Sequence, residues 1–475
     1  MIRKLSLTLI VCALGSFVGA GCGGDNNNAP LDGSVADASD GGGPIDLGPR
    51  DSGSRDDSAV DAGAGDNDNS FDTATAITAD STEDPTGVIA PAEDKDYYSF
   101  EGTAGTWMGI STTANPDDDD MLVDTVITLY DSARTQIAEN DDRQPRGDTD
   151  SEIIFRVPAT GTYYIEVQDF SDWEGVDAAE SHPGENYSLS LFTIDVAGAV
   201  VAEDAETGND AASATAAKFG TNMSGLIVGT FASAADVDVF SVEVTGTERR
   251  NFGVQLMAIG DTGNGSTSGI APIWMTDAAG TAIVARVADA TTLEIGPSLP
   301  PGSYLLWLQH PATAAGSNDF YVIKHYLVEE NAPEAETVAG TNDTIATAEP
   351  LTLEPRTDMP TTRNAFILTQ LTDTTDVDMF SFVVDAGEQV GIACGAETSG
   401  SGVRGLHIEL QSATGTVIAM DDETIVDEGA LITPSTTTAV GEGTFYARLS
   451  KTGQDAEVTS TWVRCGIRAL PPAAP

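Results

Sequence analysis

The sequence predicts an all-β protein in which three tandem antiparallel β-sandwich or jelly-roll domains follow a signal peptide and a disordered acidic tether. Two sequence landmarks recur three times at a spacing close to 141 residues. Each landmark alternates apolar and polar residues, as a half-buried strand does. Because short strand-like segments are separated by Gly, Asp, Asn and Pro, with no long helical period, we expect sandwiches rather than a mixed fold.

The first landmark is a strand that opens with an Asp-x-Asp motif. It reads DKDYYSF at residues 94–100, DVDVFSV at 236–242 and DVDMFSF at 376–382. The second landmark is a strand that opens with Gly, and it reads GTYYIEV at 161–167, GSYLLWL at 302–308 and GTFYARL at 443–449. Further short strands are expected between them, such as 125–130 and 153–157.

The constant order and spacing of these landmarks indicate tandem domains, since each repeat is long enough to own a hydrophobic core. We place a signal peptide at residues 1–21 and the tether at 22–65. Repeat one is residues 66–200, repeat two is 201–333 and repeat three is 334–475.

The first residues have the pattern of an export signal. Arg3 and Lys4 precede an apolar stretch at 5–18, and small residues at 19–21 precede Cys22. This arrangement resembles the signal of bacterial lipoproteins, which implies that Cys22 becomes the first mature residue and carries acyl chains. The expected location is then the outer membrane or the cell surface, with a membrane contact through the lipid anchor. The alternative is an ordinary secretory signal in which the cysteine is incidental.

The tether and the whole chain are acidic. Residues 22–65 are mainly Gly, Asp, Ser, Ala, Asn and Pro, and they contain too little apolar surface to offset the entropy of folding. Their aspartates repel one another and extend the segment. The chain carries a net charge of −54 at pH 7, which argues against nucleic acid as a partner.

Repeat one resembles the bacterial pre-peptidase C-terminal domain, a jelly-roll module that is also similar to the collagen-binding domains of clostridial collagenases. The resemblance rests on Asn67-Asp68, the Asp-x-Asp strand, DTVITLYD at 124–131, the turn at 140–142 and PATGTYYI at 158–165. It implies a non-catalytic accessory module of secreted peptidases or surface proteins. Repeats two and three keep the two landmarks and differ elsewhere.

The same resemblance implies a calcium site between an Asn-Asp pair and the Asp-x-Asp turn of each repeat. Calcium is a hard cation that binds six to eight oxygens, and acidic exported domains commonly supply them. The expected ligands are Asn67, Asp68, Asp94 and Asp96 in repeat one, Glu206, Asn209, Asp210, Asp236 and Asp238 in repeat two, and Asn342, Asp343, Asp376 and Asp378 in repeat three. The alternative is that these side chains cap turns and face water.

Two cysteines remain after the signal and the acylated position, namely Cys394 and Cys465 in repeat three. A lone pair in an exported domain predicts a disulfide between them, with two buried thiols as the alternative.

The sequence does not indicate an enzyme. Its four histidines do not recur between repeats, and His182, which lies beside acidic residues and a serine, has no accompanying nucleophile elbow. His and Cys residues are not clustered at the spacing of a zinc site.

We therefore expect a cell-surface protein that binds or adheres to an extracellular protein, polysaccharide or envelope partner. Aromatic residues are enriched at recognition surfaces. Those that fit this role are Tyr164, Trp307 and Tyr446 on one strand face, together with Trp107 and Trp173. An accessory subunit of a secreted hydrolase and a structural spacer remain the alternatives.

Overall fold

The computed structural model describes residues 68–471, with gaps at 114–122, 142–149, 176–186, 195–199, 204–208, 222, 235, 258–265, 267–272, 288–293, 311–318, 330–340, 356–360, 398–399, 424–429 and 434–441. The predicted signal, the tether and Cys22 therefore lie outside the described residues, as do Asn67, Glu206 and His182.

In the part of the chain that the structure describes, thirty strands make up almost all of the regular structure. Repeat one contains β1 (Thr75–Ala76), β2 (Thr86–Gly87), β3 (Asp96–Gly102), β4 (Trp107–Thr113), β5 (Thr125–Tyr130), β6 (Gln136–Asn140), β7 (Glu152–Arg156), β8 (Gly161–Asp169) and β9 (Tyr187–Thr193). Next come β10 (Val200–Glu203), β11 (Thr215–Ala216), β12 (Ser224–Thr230), β13 (Val237–Val244), β14 (Arg250–Met257), β15 (Ile273–Asp277), β16 (Ile283–Val287), β17 (Glu294–Ile295), β18 (Ser298–Leu299), β19 (Gly302–Gln309) and β20 (Phe320–Glu329). The last are β21 (Glu349–Pro350), β22 (Glu354–Pro355), β23 (Arg363–Gln370), β24 (Val377–Val384), β25 (Gln389–Gly395), β26 (Val403–Gln411), β27 (Val417–Asp422), β28 (Ala430–Ile432), β29 (Gly443–Gln454) and β30 (Trp462–Leu470).

Within the described residues, these strands form six sheets, two for each repeat. Sheet A has the order β1-β3-β8-β5-β6 and sheet B the order β2-β9-β4-β7. Sheet C is β10-β12-β20-β14-β17, with β18 also on β14, and sheet D is β11-β13-β19-β15-β16. Sheet E is β22-β23-β30-β25-β28 and sheet F is β21-β24-β29-β26-β27. Sheets A, D and F thus share one strand order.

The two sequence landmarks are neighbouring antiparallel strands in each repeat. Asp96 pairs with Val167, Asp238 with Leu308, and Asp378 with Leu449. The all-β sandwich class is confirmed, and β5 has the bounds predicted for it.

Some pairings differ from the antiparallel expectation. The short strand that enters sheets A, D and F pairs in parallel with the Asp-x-Asp strand, as β1 does with β3. Among the described residues, a short helix, α1 (Phe170–Glu174), follows β8 and is capped by the Asp169 side chain, which accepts from the Ser171 amide. No helix in the described part of the chain is long and apolar enough to cross a membrane.

Sheet C packs on both of its faces. Along β20, Phe320 and Val322 join the apolar cluster of repeat one, whereas Tyr321 and Ile323 join that of repeat two. This alternation is what a strand buried on both sides requires. β10 completes sheet C, so the boundary predicted between residues 200 and 201 falls inside a strand.

Repeats one and two therefore meet through sheets B and C. Trp107 of β4 packs edge-on against Phe320, with ring centroids 5.4 Å apart. Lys324 of β20 forms an ion pair with Glu152 of β7, and both side chains are buried. A buried ion pair costs desolvation but fixes the orientation of the two sheets.

Repeat three meets repeat two at a sheet edge. Val458 bridges Ile283 of β16, and the Thr459 amide donates to the Ile283 carbonyl at 2.8 Å. Arg286 binds Asp455 at 2.8 Å, and its amide donates to the Gly400 carbonyl at 2.9 Å.

The predicted disulfide is present. Cys394 of β25 and Cys465 of β30 face each other in register and are bonded, with Cα atoms 4.1 Å apart. The bond joins neighbouring strands of sheet E in the core of repeat three.

Candidate functional site

The first aspartate of each Asp-x-Asp motif closes the loop before its own strand. Its carboxylate accepts a hydrogen bond from a backbone amide four residues earlier. The pairs are Asp94 with Ala90 at 3.1 Å, Asp236 with Ala232 at 2.8 Å, and Asp376 with Thr372 at 2.6 Å. In repeats one and two the other oxygen accepts from the next amide, Lys95 or Val237, at 3.0 Å. This is the turn-capping role that aspartate fills in many loops.

An asparagine side chain ties the entry of the repeat to that aspartate. Asn209 donates to Asp236 at 3.3 Å, and the equivalent donor in repeat one is Asn69, at 3.0 Å from Asp94. The sequence landmark selected Asn67-Asp68 and missed Asn69, because Asn69 is followed by Ser70 and does not form an Asn-Asp pair. Only the contact with Asp94 identifies Asn69 as the equivalent of Asn209.

The backbone gives the same alignment for repeat three. The Tyr97 amide donates to the Asp68 carbonyl at 2.9 Å, and the Met379 amide donates to the Asn342 carbonyl at 3.2 Å. Asn342 therefore occupies the place of Asp68, one residue away from the frame used in the sequence comparison. These residues act through their backbone in fixing the chain entry to the strand.

The second aspartate of each motif is buried inside the sandwich. Asp96 accepts from the Tyr187 hydroxyl at 2.6 Å, and that hydroxyl is 2.8 Å from the hydroxyl of Tyr98. In repeat three the Thr369 hydroxyl donates to Asp378. Burial raises the pKa of Tyr187 well above its usual value, so this phenol remains a donor. Asp238 is buried in the same position of repeat two.

The Asp-x-Asp loops carry the carboxylates predicted to bind calcium. Among the described residues, no three Asp, Glu, His or Cys side chains form a group that could hold a metal ion. Burial raises the pKa of Asp94, the Ala90 and Lys95 amides oppose that rise, and the Asp68 carboxylate adds to it. The predicted calcium ligands also include Asn67 and Glu206, which lie outside the described residues, so calcium binding stays a prediction.

The outer face of sheet A, turned away from sheet B, holds an aromatic cluster around Phe71. Its ring lies 4.8 Å from that of Tyr97, 5.0 Å from Tyr130 and 5.3 Å from Tyr164. The hydroxyls of Tyr97 and Tyr130 donate to buried Glu166 at 2.8 and 2.9 Å. Burial, together with the Glu166 carboxylate, raises the pKa of both tyrosines, so both stay protonated.

The corresponding faces of sheets D and F carry different chemistry at the place of Glu166. In sheet D this place is Trp307, which stacks on Trp274 with ring centroids 5.7 Å apart and planes 9° apart. The Trp307 indole donates to the Thr276 hydroxyl at 2.9 Å. In sheet F the place is Arg448, which lies 3.4 Å from Glu409. The same position of the fold therefore carries an acidic side chain in repeat one, an indole in repeat two and a basic side chain in repeat three.

The aromatic residues selected from the sequence divide into two groups. Tyr164, Trp307 and Tyr446 lie on these outer faces, as expected from strand alternation. Trp107 is instead buried between repeats one and two, and Trp173 lies on α1 with 39% of its surface exposed.

Each described histidine contacts other groups of the protein. His310 contacts buried Asp319 at 3.2 Å, and His407 contacts Asp422 at 2.7 Å and Glu409 at 3.1 Å. His325 is fully buried beside the Phe219 ring, at 4.8 Å.

In repeat one the Asp-x-Asp loop and the two paired landmark strands lie between Asp94 and the end of β8. Residues 94–169 match the family model of the bacterial pre-peptidase C-terminal domain. That confirms the resemblance drawn from repeat one. The pre-peptidase C-terminal domain is a non-catalytic module, and the match covers β3 to β8.

Comparison with other proteins adds little to the pre-peptidase C-terminal match. No curated protein matches the chain. Among solved structures, the pre-peptidase C-terminal domain of collagenase from Bacillus anthracis is 17% identical, and the alignment covers 25% of this chain and 93% of that one with a TM-score of 0.18. The CUB1-EGF-CUB2 region of human MASP-1/3 is 10% identical, with coverage of 50% and 94% and a TM-score of 0.16. A triple jelly-roll protein from the turret of an archaeal virus is 8% identical, with coverage of 82% and 85% and a TM-score of 0.16.

Proposed function

We propose that this chain is a non-catalytic lipoprotein of the bacterial surface whose β-sandwich modules bind an extracellular protein or polysaccharide. The equivalent outer faces of sheets A, D and F support this role. Their strand order is the same, yet the central position changes from Glu166 to Trp307 to Arg448. A spacer needs only the common scaffold, whereas recognition needs a different surface on each module.

The observation that carries the proposal is the stacked pair of Trp274 and Trp307. Two half-buried indoles lie in parallel on an outer sheet face, and neither belongs to the apolar core of repeat two. Indole rings offer a large rigid surface with a polar edge, which suits contact with sugar rings or apolar side chains. Since the Thr276 hydroxyl holds the Trp307 indole, the pair is already ordered before any ligand arrives.

The test is binding of purified residues 66–475 to glycan arrays and to matrix proteins. Trp274→Ala should weaken the strongest binding about tenfold or more, because an aromatic anchor is removed. Val383→Ala is the control, since this exposed apolar side chain lies on β24 of repeat three and is not one of the aromatic residues proposed for recognition. Binding that survives Trp274→Ala and Trp307→Ala in folded protein would refute the role of this face.

The anchor is tested separately. Cys22→Ser should move the protein from the membrane fraction to the soluble exported fraction, because the acyl chains supply the membrane affinity. A variant that still pellets with membranes, together with wild-type protein that has no added lipid mass, would contradict the lipoprotein assignment.

A further inference from the structure

Sheets A, D and F each end in an edge strand with the same irregularity. The register of β6, β16 and β27 against the neighbouring strand shifts at Leu129/Tyr130, Met275/Thr276 and Leu410/Gln411 respectively. Because the shift falls at the same place in each sheet, the three edge strands can be aligned residue by residue. Val417, Ile418 and Met420 of β27 then match Ile283, Val284 and Arg286 of β16.

In repeat two these three edge positions make contacts with repeat three. The carbonyl of Ile283 accepts from the Thr459 amide, and that of Val284 accepts from the Ser460 hydroxyl. The Arg286 amide donates to the Gly400 carbonyl at 2.9 Å. This edge therefore already binds backbone and hydroxyl groups of a neighbouring module.

In repeat three the matching side chains are apolar and exposed. Val417 is 43% exposed, Ile418 36% and Met420 65%. They are three of the five large hydrophobic side chains that are exposed in the described part of the chain. β27 is the last strand of sheet F there, so its outer edge has the form that strand addition uses.

We propose that the β27 edge binds an extended, apolar and basic segment of a different protein as an added strand of sheet F. This rests on the binding role proposed above and places a second contact away from the indole pair. By the alignment with Arg286, the Met420 amide points to the partner, and Val417, Ile418 and Met420 pack against its side chains.

The charges decide the class of partner. Arg286 of repeat two meets the acidic Asp455 and Glu457, whereas Met420 in its place offers no positive charge to an acidic segment. β27 ends in Asp421 and Asp422, and the chain carries −54 overall. A basic segment is attracted to this edge, and a second copy of the chain is repelled.

Met420→Pro is the decisive variant. Proline is tolerated on an edge strand where its amide points outward, so this change removes the donor to the partner while the β26 pairing remains. Met420→Lys is the second variant and repels a basic segment. Val383→Lys is the matched control, because Val383 is 55% exposed on β24, an inner strand of the same sheet.

The probe is a display library of random peptides long enough to form one strand, selected on the purified full chain. Enriched peptides should alternate apolar residues and carry Lys or Arg. Met420→Pro and Met420→Lys should each weaken their binding about tenfold or more, and Val383→Lys should not. Peptides without that pattern, or with equal affinity for all variants, overturn the proposal. Sedimentation that shows a dimer which Met420→Lys dissociates overturns it in favour of self-association. Loss of matrix binding in Trp274→Ala with no effect of Met420→Pro leaves the binding role intact and removes the edge site alone.

Discussion

The buried His325 predicts that repeat two loses stability in mild acid. The side chain is fully buried on β20, opposite Gly225 and between the rings of Phe219 and Phe252. Burial lowers its pKa from 6.5 to about 3, because the charged imidazolium is disfavoured in this apolar site. Its unfolded form titrates near 6.5.

The direction of this pH dependence follows from proton binding at His325 in the folded and unfolded chains. Between pH 6.5 and about 3 the unfolded chain binds a proton at His325 that the folded chain does not, so acid favours unfolding. The stability contribution is complete above pH 6.5 and falls as the pH drops through that window. Between pH 7.5 and 5.0 the expected loss is about 2 kcal/mol.

Hydrogen exchange of the β14 and β20 amides measures this loss locally, with β25 and β30 of repeat three as an internal reference. The free energy of opening should fall by about 2 kcal/mol in wild type, and by much less in His325→Leu. His407→Leu, on sheet F, is the control with the same chemical change. An equal acid dependence in wild type and His325→Leu would refute the assignment of the loss to this buried ring.

Three further predictions concern the core, the interface and the loops. Cys394→Ser should destabilise repeat three by about 4 kcal/mol, because the unfolded chain is then no longer restricted by a bond between cysteines 71 residues apart. Denaturant unfolding measures this loss, and an unchanged midpoint would contradict the prediction. Lys324→Met should lower the free energy of unfolding by about 3 kcal/mol, because Glu152 is left buried and unpaired. Adding Glu152→Met should restore most of that free energy. A double variant as unstable as the single one would argue against the ion pair as the cause. Calcium, but not magnesium, should raise the melting temperature, and Asp238→Asn should remove the rise; an equal response to both cations would indicate only charge screening.

The alternation of apolar and polar residues was sufficient to predict the landmark strands from the sequence. The Gly-start strands and the Asp-x-Asp strands alternate apolar and polar residues between turn signals, and both landmarks are central neighbours in sheets A, D and F. The disulfide could also be predicted from the sequence, since Cys394 and Cys465 are the pair left in a domain predicted to be exported. In both cases the information lies within one repeat.

Non-local packing could not be predicted in the same way. A strand of two residues such as Thr75–Ala76 has no period to detect, and its parallel pairing depends on the position of β3. Trp107 and Phe320 each have the pattern of an ordinary core residue, so nothing in the sequence separates an intramodule contact from one between sheets B and C. The hydrogen bond from the Tyr187 hydroxyl to buried Asp96 spans 91 residues, so the sequence pattern around Asp96 does not show it.

The three repeats differ most where they meet other surfaces. At one edge position the residue is Glu139 in β6, Arg286 in β16 and Met420 in β27, although the strands on either side keep their pairing. Arg286 forms ion pairs with the acids of repeat three, so its charge is explained by its neighbour. The apolar side chain of Met420 has no favourable interaction with water. A contact that covers it therefore explains this residue better than the fold of repeat three alone.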